Sequence, residues 1–112
     1  MERLKSRIFF AEKSIQESFE ELKEGKTEEQ EVYRHLSNAF ENLRENAYEG
    51  IQIPKRLIPK IYLTKYKVTN LWKYDLPKGW RLIYSVGQEG ITILSIILEW
   101  LDHKEYERRF GY

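Results

Sequence analysis

The sequence has no cysteine, a single methionine, two histidines and three prolines in 112 residues. Zero cysteines exclude disulfides, thiolate metal sites and cysteine nucleophiles, and fit a reducing compartment. One imidazole near Asp102 and Glu99 is too sparse for metal-ligand spacing, and His35 lies far off in the chain. The glycines (25, 50, 79, 87, 90 and 111) stand singly, which disfavours folds that cradle a nucleotide cofactor in a glycine loop. No serine sits in a nucleophile elbow. No segment approaches the roughly 20 apolar residues of a membrane helix, and the opening MERLKSR leads into no signal-peptide core. A cytoplasmic protein with neither metal nor cofactor is expected.

What is present points to one domain over residues 1–112. Three Trp, eight Tyr and five Phe, with Ile and Leu throughout, suffice for one moderate core. Charged residues make up 33%, above the average of about 25%, and are spread rather than run together. The net charge of +1 hides a division: residues 1–50 hold 8 Lys or Arg against 12 Asp or Glu, and residues 51–112 hold 11 against 6. Between Ile51 and Gln88 eight bases (Lys55, Arg56, Lys60, Lys65, Lys67, Lys73, Lys78 and Arg81) face one acid, Asp75. That stretch is either a solvated basic surface or a polyanion site. Interleaved Tyr62, Tyr66, Trp72, Tyr74, Trp80 and Tyr84 suit single-stranded nucleic acid, which is held by cationic grooves and stacking faces.

The hydrophobic period changes along the chain. Lys5 to Phe10 reads as a short strand. From Glu12, Ile15, Phe19 and Leu22 share one helical face, and Gly25 stops the helix. Thr27-Glu28-Glu29-Gln30 is a capping-box sequence with Thr27 as cap, and Val32, Leu36, Phe40, Leu43 and Ala47 continue a second helix to about Tyr48. Pro54 and Pro59 mark Ile51–Val68 as a basic connector with at most a short helix or extended piece. Residues 70–86 then alternate with period two around Pro77-Lys78-Gly79, which suits a type I turn. In its second strand Trp80, Leu82, Tyr84 and Val86 share one face and Arg81, Ile83 and Ser85 the other. Trp72 and Tyr74 either fill the hairpin's buried face or stack bases. Ile91–Leu98 is apolar on both faces, as a strand buried within a sheet would be, and a short helical tail follows. The order β-α-α-β-β-β implies an α+β fold, two N-terminal helices on one face of a curved, mainly antiparallel four-stranded sheet.

The hairpin NLWKYDLPKGWRLIYSV, the strand ITILSIILEWL and the tail DHKEYERRFGY, after a strand and two helices, resemble the RelE/ParE superfamily of toxins from type II toxin-antitoxin systems. The most specific parts are Arg81-Leu82-Ile83-Tyr84 and the pair His103, Tyr106. The resemblance implies a metal-independent endoribonuclease that cuts messenger RNA, often on the ribosome, and is silenced by a cognate antitoxin. It places Arg81 at the scissile phosphate and His103 with Tyr106 as the acid-base group. Leu98-Glu99-Trp100-Leu101 carries no arginine where many members have one, and Lys104 is the nearest cation.

The chemistry agrees with that reading. Attack by the neighbouring 2′-hydroxyl needs a base, cationic donors on the phosphorane and an acid at the leaving oxygen. Arg81 offers planar bidentate donors, and histidine is the side chain that ordinarily titrates near neutrality. Lys73, Lys78 and Lys104 would hold the backbone, and Lys55, Arg56, Lys60, Lys65 and Lys67 would extend the RNA surface. His35, one position off its helix's apolar stripe, reads as a surface or boundary residue. The competing readings are a catalytically inactive member of the fold that binds an antitoxin or gyrase, and a plain RNA-binding domain.

Overall fold

The computed structural model describes residues 3–111. In chain order they form β1 (Arg7–Phe10), α1 (Lys13–Leu22), α2 (Thr27–Glu45), β2 (Ile51–Ile53), α3 (Lys60–Lys65), β3 (Leu71–Asp75), β4 (Arg81–Glu89), β5 (Thr92–Leu101) and α4 (His103–Phe110). The class is α+β, as the change of period near Gly50 predicts. No helix among the described residues is long and apolar enough to cross a membrane.

Two features of the expected architecture are corrected. The sheet has five strands, ordered β1-β5-β4-β3-β2, and is mixed: β1 runs parallel to β5, and the other three pairings are antiparallel. The added strand comes from the segment read as a connector, where Ile51 pairs with Lys73 and Ile53 with Leu71. Three residues are too short to display a period, and Pro54, which lacks an N–H, ends the strand at the sheet edge. The helices also cover both faces. α1 and α2 pack on the face that carries Leu82, Tyr84 and Ile97. α3 and α4 bury Tyr62 and Tyr106 against Leu71, Ile83, Leu98 and Leu101 on the other. The anchors of α3 were hidden in the sequence because Ile53, Ile58 and Tyr62 are separated by bases and prolines.

The α1/α2 layer follows its pattern. Val32, Leu36, Ala39, Phe40 and Leu43 of α2 are buried, and Ile15, Phe19 and Leu22 of α1 are half-buried above them. Rings close the gap: Phe19 lies 5.8 Å from Phe10 and 5.1 Å from Phe40, a tilted cluster of the kind aromatic quadrupoles favour. The cap of α2 differs from expectation. Lys26, not Thr27, is the capping position, with its N–H donating to Glu29 Oε1 at 2.9 Å, while Gln30 Nε2 donates to the Gly25 carbonyl. Moving the start by one residue brings Glu29 rather than Gln30 to the third helical position. The β3–β4 turn is not type I either, because Lys78 (φ 61°) and Gly79 (φ 82°) are both left-handed.

One irregularity in the β4–β5 ladder decides which face several side chains occupy. Ile83 pairs with Glu99 but Tyr84 pairs with Ile97, so Leu98 is an extra residue in β5. Strict alternation would put Glu99 on the α1/α2 face with Ile97. The bulge instead leaves Leu98 and Glu99 together on the α3/α4 face and turns Trp100 toward α1 and α2.

Candidate functional site

On the α3/α4 face the end of the β3–β4 ladder brings three charged side chains together. Asp75 pairs directly with Arg81, and Lys73 lies two positions earlier on the same face. Lys73 Nζ donates to both Asp75 oxygens at 2.8 and 3.1 Å. The buried Nε of Arg81 sits 2.9 Å from Asp75 Oδ1, off the hydrogen-bond axis, so that contact is one of charge, and NH1 donates to the Trp80 carbonyl. Asp75 is half-exposed, whereas Lys73 and Arg81 are only 18 and 19% exposed.

Both cations lie over the ring of Tyr106 on α4, with Arg81 Cζ at 5.1 Å and Lys73 Nζ at 5.8 Å from its centroid. Tyr106 is 4% exposed and stacked on Phe110 at 4.5 Å, so it is a fixed platform. Each such cation–π contact contributes about 0.5–2 kcal/mol, more as water is excluded. The arrangement presents a planar guanidinium and an ammonium, held in place, to one carboxylate. Two oxygens of a phosphodiester have the same acceptor geometry as the carboxylate.

His103 opens α4 next to its N-cap, Asp102, whose carboxylate accepts from the Glu105 N–H at 2.8 Å. Its imidazole is 60% exposed, with Nε2 3.5 Å from Glu107 Oε2. A Cβ built on Gly79 would lie 3.2 Å from His103 Cβ, so the left-handed glycine lets the β3–β4 turn approach α4. His103 therefore sits at the same end of the sheet as Arg81, whose ladder partner is Leu101. Lys104 is exposed beside it.

The other bases divide. Lys55, Arg56, Lys60, Lys65 and Lys67 are exposed along the segment from β2 to α3 and beyond it. Contact with the Tyr66 hydroxyl holds the Lys65 ammonium above the usual lysine range, its Nζ lying 5.1 Å from the ring centre. Lys78 turns the opposite way: its ammonium reaches Glu31 of α2 at 3.1 Å and holds that carboxyl below the usual range. Trp72 and Tyr74 also belong to the α1/α2 face. Trp72 lies 5.2 Å from Tyr48 and 6.1 Å from Tyr84, and Tyr74 Oη accepts from Asn42. These are packing roles. His35 is half-buried on α2.

The structure also assembles a polar group that the sequence did not suggest. The fully buried Tyr62 donates to Glu99 Oε2 at 2.5 Å, and Arg109 NH1 donates to the same oxygen at 2.5 Å. Burial, reinforced by the Glu99 carboxylate, pushes the Tyr62 phenol well above its usual range, so it stays a donor. The three residues tie α3, β5 and α4 together under the platform. No short-range signal marks them, because the bulge aims Glu99 and the partners are 37 and 10 residues away.

No known protein family, curated protein or solved structure matches the chain.

Proposed function

We propose that the protein is a RelE-like, metal-independent endoribonuclease of messenger RNA, acting on ribosome-associated message and held inactive by a cognate antitoxin. The observation that carries this reading is the pair Lys73 and Arg81 fixed over the Tyr106 ring. A scissile phosphate replaces Asp75 as their partner, so both cations meet the negative charge that grows on the phosphorane. They are already oriented by the ring, which lowers the cost of reorganisation during reaction. His103, exposed at the same end of the sheet, takes the acid-base role at the 2′ or the leaving oxygen. Tyr106, buried beneath the cations, positions them rather than moving a proton. The exposed bases from Lys55 to Lys67, with Lys104, hold flanking phosphates, so affinity falls steeply with salt.

The test is single-turnover cleavage of ribosome-bound and free messenger RNA by wild type, Arg81→Ala, His103→Ala and Tyr106→Phe, with thermal melts alongside. Arg81→Ala is expected to lose about 100- to 1,000-fold and His103→Ala about 100- to 10,000-fold. Tyr106→Phe keeps the ring and is expected to retain most activity. If wild type cuts neither substrate, the enzyme reading is wrong. A second reading, a non-catalytic relative that binds a protein partner, is favoured by one observation: of the two arginines beyond β5, Arg109 is engaged with Glu99 and Arg108 with Glu105. Neither cleavage nor low-salt binding of RNA by wild type would select it, whereas RNA binding without cleavage would select a plain RNA-binding domain.

A further inference from the structure

A cavity of about 440 Å³ opens on the opposite face, between the start of α2 and the β3–β4 turn. Leu22, Val32, Trp80 and Trp100 form an apolar wall, and Glu28, Glu29 and Glu31 stand at the rim with one ammonium, that of Lys78. Trp80 and Trp100 come together because Trp100 pairs with Leu82, the residue two beyond Trp80 on the same face, after the bulge has turned it over. Three carboxylates against one ammonium make the mouth negative, and indole is the best ring for a cation–π contact.

The pocket also shows how it treats a cation. Lys78 adopts a left-handed backbone (φ 61°), which favours glycine, and its side chain is 71% exposed, yet its ammonium is placed 3.1 and 3.3 Å from the Glu31 carboxylate. Glu31 thus already holds an exchangeable ammonium at the edge of an indole-lined cavity.

We propose that this cavity binds a free small organic cation, an alkylated ammonium on a compact apolar body. Its charge replaces the Lys78 ammonium beside Glu31, and its body lies against Trp80 and Trp100. The volume falls in the range of small-molecule sites. A mostly apolar wall with charge at one end selects a ligand that is itself amphipathic, not a hydrated metal ion. The site lies on the face away from Lys73 and Arg81.

The probe is benzyltrimethylammonium, with benzyl alcohol and benzoate as neutral and anionic counterparts, titrated into the full chain and followed by the indole N–H resonances. Saturation at about 1 mM or below is expected, with the Trp80 and Trp100 signals moving and that of Trp72, packed against Tyr48 and Tyr84, staying in place. Glu31→Gln should weaken binding about fivefold and Trp100→Leu about tenfold. Lys78→Ala, which removes the competing ammonium, should tighten it. Glu31→Gln lies at the surface and keeps the test usable if Trp100→Leu unfolds. Three results overturn the proposal: equal binding of benzyl alcohol, movement of all three indole signals together, or no loss in Glu31→Gln. Binding of an arginine-containing peptide but not of benzyltrimethylammonium would overturn the small-molecule assignment.

Discussion

The sheet is covered on one side by α1 and α2, ten and nineteen residues long, and on the other by α3 and α4, of six and eight. The long pair covers its face with aliphatic and aromatic side chains around one cavity, and the buried Tyr84 hydroxyl there donates to the Ala47 carbonyl at 2.8 Å. The short pair has few apolar anchors and is fastened by charge: Tyr62, Glu99 and Arg109 under α3 and α4, and Lys73 and Arg81 over Tyr106. Short helices leave part of a sheet face open. Charged groups can then be partly desolvated, and so strengthened, without being buried outright. The two faces belong to one sheet and differ in how completely it is covered.

The comparison can be broken by unequal mutations. The largest effect is expected from Leu36→Ala on the α1/α2 face, where the side chain is fully buried. The loss should be about 2–5 kcal/mol and should lower the melting temperature by roughly 10 °C or more, measured by denaturant titration and calorimetry. A loss below about 1 kcal/mol would mean that this face is loosely packed.

Alkaline pH compares the two faces directly through the fully buried tyrosine on each, Tyr62 and Tyr84. Burial pushes the phenols of Tyr62 and Tyr84 well above their ordinary value. A phenol with a raised folded pKa stabilises the fold fully below its unfolded pKa of about 10 and loses that contribution as pH rises above it. Unfolding free energy should therefore fall by about 1.4 kcal/mol per pH unit for each tyrosine above pH 10. Tyr62→Phe and Tyr84→Phe should each remove about that much slope. If only one variant does so, the other tyrosine ionises within the fold.

The smallest stability change is expected from Asp75→Asn on the open face, within about 1 kcal/mol because the carboxylate is half-exposed. Its effect should appear in binding instead. Freed from Asp75, Lys73 and Arg81 should bind a short RNA about five- to tenfold more tightly at low salt, as filter binding would show. Unchanged affinity would separate this cluster from RNA recognition.

Much of the α1/α2 face was legible because its signals are periodic and local. Val32, Leu36, Phe40 and Leu43 recur at helical spacing, and Trp80, Leu82, Tyr84 and Val86 alternate, so either set can be placed without knowing its neighbours. Arg81 was assigned to the opposite face from the same alternation, and it lies there. In the α3/α4 layer the short C-terminal helix was legible as a helical tail, but β2 and the anchors of α3 were not. Ile53, Ile58 and Tyr62 follow no period, and β2 is a strand only because Leu71–Lys73 lies beside it.

The sequence by itself determined the two amphipathic helices, the hairpin and its turn position, since each depends on contacts or dihedral preferences within a few residues. It also set the strongly basic stretch, which is composition alone. Only the tertiary structure decided which face each charge serves. The extra residue at Leu98 reverses the alternation of β5, sending Glu99 to Tyr62 and Arg109 and Trp100 to Trp80. A bulge arises when two strands must fit one another, so nothing within β5 announces it.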